Sequence, residues 1–224
     1  MESVSNRSGF ILPYKFMGKI IDEYRTLAHE GLARLKVKGS IFQAIALPVK
    51  NSEDADSLLS DWRKSYHDAT HIGWARRPGI PPEGEIRWSD DGEPSGTTGK
   101  PILQAITKAD LWRVQIGVVR WFGGTKLGTG GLARAYGKAA SDAVGNSKII
   151  VVEIRKQLQV IIPNQYLGAL YSIVEKLNAI PGPQEYDEHG MRIILNIRAS
   201  MIDILANRIT ESTAGRAEVR ILET

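Results

Sequence analysis

The sequence predicts an α+β protein of two domains, residues 1–146 and 147–224. Three observations lead there. Residues 147–224 spell strand, helix, strand, strand, helix, strand, which is the split βαβ, or ferredoxin-like, order. The first 146 residues mix strands and helices without the long βαβα alternation of a parallel sheet. Charge divides at the same place. Residues 147–224 carry nine Lys and Arg against nine Asp and Glu, so the whole net charge of +4 lies in residues 1–146. That excess favours an anionic partner for the first domain.

Taken in order, residues 1–20 read as a loose arm broken by Gly and Pro. His29–Pro48 reads as two strands turning near Lys38-Gly39-Ser40, with apolar residues alternating through Ile41–Ile45. Asn51, Ser52, Glu53 and Asp54 supply a cap and first-turn acids for a helix to about Tyr66, whose buried face carries Leu58, Leu59 and Trp62. His67–His71 leads into a short strand, Ile72–Ala75, and a loop rich in Pro and Gly follows to Gly84. Pro101–Lys108 reads as a helix with proline in its first turn. Trp112–Trp121 is the clearest strand, and Leu132–Val144 a helix ended by Gly145-Asn146. In the second domain the strands are Ile149–Ile162, a hairpin through Glu188-His189-Gly190 whose second strand is Met191–Ile197, and Ala217–Leu222. The helices start near Asn164 and at Met201.

Two glycine-rich segments stand out, Arg87–Pro101 and Arg120–Tyr136, holding Gly92, Gly96, Gly99, Gly123, Gly124, Gly128, Gly130 and Gly131. Glycine is costly to order, so such clusters mark backbone that turns sharply or approaches something closely. Gly96-Thr97-Thr98-Gly99-Lys100 fails as a Walker loop, because position 94 is Pro and Lys100 is followed by Pro101. Gly128–Ala133 is a formal G-x-G-x-x-A, but Phe122–Leu127 separates it from the preceding strand, against a dinucleotide fingerprint. Glycines ahead of a helix still bare N–H groups that suit a phosphate. Arg120, Lys126 and Arg134 flank that point, with Lys100 and Lys38 as weaker candidates. Trp121, Phe122 and Tyr136 offer flat faces for bases, although Trp112 and Trp121 alternate with apolar neighbours as core residues do.

Asp90, Asp91 and Glu93 crowd three carboxylates into four positions. With His67 and His71 they offer a metal-assisted phosphoryl hydrolase site, but Asp-Gly is first a turn dipeptide, and His67-Asp68-x-x-His71 lacks the central Glu of a zinc helix. Ser89 and Ser95 have no nucleophile-elbow context. With no cysteine, disulfides, cysteine-ligated zinc, iron–sulfur clusters and thiol nucleophiles are excluded. No run nears the roughly 18 apolar residues of a membrane span, and the N-terminus lacks a secretory layout. A cytoplasmic protein without cofactor or membrane partner is expected.

The long two-part motif settles a resemblance. Ser89-Asp90-Asp91-Gly92-Glu93-Pro94-x-Gly96-Thr97-x-Gly99-x-Pro101 and Val119-Arg120-x-Phe122-Gly123-Gly124-x-x-Leu127-Gly128-x-Gly130-Gly131-Leu132-x-Arg134-Ala135-Tyr136 strongly resemble the signature of the IMPACT/YigZ family, in its bacterial form. Lys38-x-Ser40-x-Phe42 and His67-x-Ala69-x-His71 fall where that family has similar elements. Trp121 stands where Tyr is common, and Gly73-Trp74 replaces Cys-Trp; neither threatens the likeness. The resemblance implies a first domain like the second domain of ribosomal protein S5, a sheet with helices on one face. It also implies a second domain similar to the last domain of elongation factor G. Both comparisons come from RNA- or ribosome-associated proteins, so the resemblance implies a translation-linked role. The leading expectation is a non-enzymatic protein that binds RNA or the ribosome, with the metal-assisted hydrolase and a module that binds a protein partner, such as a translation-associated protein, as alternatives. Eukaryotic relatives bind a partner that controls a translation kinase, through an extra N-terminal domain not seen here, so that role is not carried over.

Overall fold

The computed structural model describes residues 15–16, 19–82 and 84–222; most of the expected N-terminal arm lies outside them. The chain folds into two compact units with mixed sheets and helices, one spanning Glu23–Val152, the other Glu153 onward together with residues up to Asp22. Two short strands, β1 (Lys15–Phe16) and β2 (Lys19–Ile20), pair antiparallel.

Residues 23–152 are built on an antiparallel five-stranded sheet. Its strands are β4 (Gly31–Val37), β5 (Ser40–Pro48), β6 (His71–Arg77), β7 (Arg87–Ser89) and β8 (Val114–Trp121), in the order β4-β5-β8-β6-β7. A separate pair, β3 (Glu23–Leu27) with β9 (Ile149–Glu153), completes the strands. The turn joining β4 to β5 has Lys38 at φ 46° and Gly39 at φ 82°, the two left-handed residues of a two-residue hairpin.

Alternation decides which side each residue faces. Phe42, Ala44 and Ala46 of β5 and Val114, Ile116 and Val118 of β8 point to one side. There they meet Ile102 and Ile106 of α2 (Gly99–Lys108) and Leu132, Ala135 and Ala139 of α3 (Gly128–Gly145). The alanines of α3 leave so little side chain that a Cβ on Gly31 would stand 2.1 Å from the Ala143 carbonyl oxygen. On the opposite side lies α1 (Ser52–Ser65), with Leu59 and Trp62 against Ile45, Ile72 and Val119. The resemblance implied helices on one face only. The sheet is covered on both, because β5, β6 and β8 are apolar at odd and even positions alike.

Asn51 caps α1, its Oδ1 accepting the Asp54 N–H at 2.9 Å. Asn51→Ala is expected to lower stability by about 1 kcal/mol in a denaturant titration.

Residues 153–222 show strands β10 (Arg155–Pro163), β11 (Ile180–Tyr186), β12 (Gly190–Arg198) and β13 (Glu218–Leu222). Their order is β11-β12-β10-β13 and every pairing is antiparallel. Helices α4 (Leu167–Lys176) and α5 (Ile202–Ser212) share one core with Leu158, Val160, Ile193 and Leu195. The single strand expected over Ile149–Ile162 is instead two, in different sheets, with a buried Ile154 between β9 and β10. Among the described residues, no helix is long and apolar enough to cross a membrane.

Candidate functional site

The first glycine-rich segment is a self-satisfied turn. Asp91 (φ 47°) and Gly92 (φ 85°) reverse the chain after β7. The Asp90 carboxylate then accepts three backbone N–H groups, from Gly96 at 2.7 Å and from Thr98 and Gly99 at 2.8 Å. Burial works against that charge, and the three donors, with Lys100 nearby, outweigh it, so the Asp90 carboxyl titrates below the usual carboxylate range. The N-terminus of α2 is therefore already occupied by an internal anion. Asp91 is engaged too: its Oδ2 accepts the Ile72 N–H at 2.7 Å, and its carbonyl oxygen lies 2.7 Å from His71 Nδ1.

Glu93 turns inward. It is buried, pairs with the equally buried Arg120 of β8, and accepts the Tyr136 hydroxyl of α3 at 2.9 Å. Arg120 also lies 3.4 Å from Ser40 Oγ, and its guanidinium sits between the Phe42 ring (5.5 Å) and the Phe122 ring (5.4 Å). Burial, then the Glu93 charge, pushes the Tyr136 phenol far above its ordinary value. One carboxylate thus ties the first glycine segment, a central strand and α3 together.

These positions correct two expectations. Arg120 does not face a phosphate, because a guanidinium paired in the core leaves nothing for solvent. Asp90, Asp91, Glu93, His67 and His71 do not form a hydrolase centre. The three carboxylates are each held by backbone or Arg120, His67 is exposed on the turn after α1, and no group of three acidic or histidine side chains among the described residues could hold a metal.

The second segment is different. Its loop, residues 122–126, is exposed, with Gly124 at φ 83°. Gly128, Gly130 and Gly131 form the first turn of α3 rather than a loop before it, and no side chain caps that turn. Gly123 packs backbone to backbone on the β4–β5 turn, where an added Cβ would fall 1.9 Å from the Gly39 carbonyl carbon. This contact sets Lys38 beside the loop. An open groove follows, with an apolar floor of Leu35, Val37, Leu127 and Ala135 and with Lys38, Arg134 and Lys138 at its rim, next to Gly131. Lys138 is paired with Asp142 at 2.8 Å. Lys100 stands exposed on the first turn of α2 beside Gly96, outside the groove's lining. Of the expected cations, Lys38 and Arg134 line the groove and Lys126 rises from the adjoining loop. Lys138, one helical turn beyond Arg134, escaped the sequence reading, and its i, i+4 spacing from Arg134 was the available signal.

Two units of mixed sheet and helix, one bearing an open basic groove beside Gly131 and a buried Arg120–Glu93 pair in its core, define a class of protein that other chains share. Residues 38–144 match the Impact N-terminal domain. An "IMPACT family member" of Haemophilus influenzae is 32% identical over 84% of this chain and 91% of its own length. An "IMPACT family member in pol 5'region" of Thermus thermophilus is 35% identical over 72% of this chain and 86% of its own. The chain belongs to the IMPACT family. A solved structure described as that of a hypothetical protein superposes with a TM-score of 0.66, at 22% identity, over 91% of this chain and 99% of that one, a likeness of fold.

Proposed function

We propose that this protein is a cytoplasmic, non-enzymatic accessory factor or regulator of translation that binds RNA or the ribosome through the groove of residues 23–152. The observation that carries the reading is a groove in which Lys38 and Arg134 line the uncapped first turn of α3 at Gly131, with Lys126 exposed in the loop just before that turn. Helix N–H groups and cations together suit phosphate. The counterpart at α2 is filled by Asp90, so one of the two glycine segments is open to an anion and the other is closed. The same reading takes residues 1–146 as like the second domain of ribosomal protein S5. It takes residues 147–224 as ferredoxin-like and similar to the last domain of elongation factor G. The β-α-β-β-α-β order and the β11-β12-β10-β13 sheet support that comparison.

The test is binding of a labelled single-stranded RNA across a salt series. Three phosphate contacts, at about −0.7 each, give a log–log slope near −2. Lys126→Ala and Arg134→Ala should each flatten it by about 0.7. Wild-type binding that ignores salt would remove the reading, and nuclease-resistant capture of a protein at the same surface would replace it with a partner-binding module.

A further inference from the structure

We infer that the exposed Phe122 ring is a stacking platform for one unpaired nucleobase, which makes the groove selective for single-stranded over duplex RNA. This rests on the RNA reading above and goes beyond it by naming the form of RNA and the residue that selects it.

The three aromatics of the second segment have separate fates. Tyr136 is fully buried, with its hydroxyl on Glu93. Trp121 is half-buried, its Nε1 donating to Asp68 Oδ2 at 3.0 Å and its ring edge-on to Tyr66. Phe122 alone is open, 47% exposed. An apolar ring left in water is ordinary at a floppy tip, but this one is held at its base. Its own N–H donates to Thr70 Oγ1 at 3.0 Å, the next N–H, of Gly123, donates to Ser40 Oγ at 3.1 Å, and the Thr70 N–H donates to the Arg120 carbonyl at 2.8 Å. Gly123 is wedged against Gly39 besides. A ring fixed in this way loses little further freedom when a ligand arrives, so its contact area converts efficiently into affinity.

The surroundings select the ligand. Gly123 and Gly124 present no side chain, and a Cβ on Gly124 would meet nothing within 4 Å, so the approach past the ring is clear. Lys126 follows four residues on, and Lys38 projects from the turn that Gly123 touches. Both are exposed, with no ion pair or hydrogen bond to another described residue. A flat apolar face with one exposed cation in its own loop and another in the turn that loop touches matches a base and its flanking phosphates. In a duplex the bases are stacked on both faces and cannot reach such a ring, whereas an unpaired base offers a free face whatever its identity.

The experiment compares a labelled unstructured 12-mer RNA with a duplex of equal length, using wild type, Phe122→Ala and Phe122→Tyr, each checked for an unchanged melting temperature. With one base unstacked, Phe122→Ala should weaken single-strand binding about tenfold. Duplex binding and the salt slope should stay as they were, and Phe122→Tyr should restore wild-type affinity. With 2-aminopurine in the strand, wild type should quench its emission and Phe122→Ala should not. If Phe122→Ala binds both RNAs like wild type, or weakens both equally, the platform is refuted while salt-dependent binding stands. If wild type shows no salt-dependent RNA binding, the platform and the reading beneath it fall together.

Discussion

Arg120→Met is expected to cost the fold about 3–5 kcal/mol, read from the midpoint of a urea titration. The substitution keeps an unbranched chain of apolar stem but removes the guanidinium between Phe42 and Phe122, and it leaves Glu93 as a charge in the core without its cation. Removing one member of a buried pair is expensive because the remaining ion has neither water nor partner. The double variant Glu93→Gln/Arg120→Met should recover most of the loss. The amide is neutral, and its oxygen can still accept the Tyr136 hydroxyl that Glu93 now accepts. A double variant as unstable as Arg120→Met alone would show that packing around the guanidinium, not the stranded charge, sets the cost. Because this pair sits beneath Phe122, unfolding measurements must accompany any binding assay on variants of the region.

Asp90→Ala is expected to cost about 3 kcal/mol, more than an ordinary helix cap. Three N–H groups lose their acceptor together, on Gly96, Thr98 and Gly99, and the last two belong to buried residues. Asp90→Asn should fall between wild type and Asp90→Ala, since the amide oxygen accepts but carries no charge. The pH dependence has a definite sign. Asp90 binds its proton less readily folded than unfolded, so its contribution is complete above the unfolded value near 4 and fades as pH drops through the lower folded value. Asp90→Asn should therefore lose less stability than wild type below about pH 4. Equal acid sensitivity in the two proteins would sink this assignment of Asp90. Asp90→Ala bears on function too: with no acceptor left at position 90, the start of α2 becomes a second uncapped helix N-terminus, and anion binding there should rise.

Much was legible from residue order, for reasons that stay local. The hairpin at Lys38-Gly39 follows from a glycine between two alternating runs, the cap at Asn51 from an amide side chain ahead of acids, and the α4 and α5 stripes from helical spacing. Lys38, Lys126 and Arg134 were visible as charges near glycines. Their meeting was not, since it depends on Gly123 touching Gly39 across more than eighty residues of chain. The strand pair β3–β9 and the break at Ile154 escaped notice, because a continuous apolar run does not announce a change of sheet.

Arg120 marks the line between the two kinds of knowledge. Composition makes it a surface cation like Lys126. Alternation along β8 already placed it on the side of Ile116 and Val118, which was the one local sign of burial. What the sequence by itself determined is the periodicity of each element, the turns that only glycine or Asp-Gly can make, and the family signature. Only the tertiary structure decided which charges neutralise each other. A carboxylate at position 93 pairs with a guanidinium at position 120 through a fold that brings β7, β8 and α3 together, and the one at position 90 closes the first helix start. Around the second glycine segment, what that pairing leaves open to solvent is Lys38, Lys126 and Arg134, the uncapped start of α3 and the Phe122 ring.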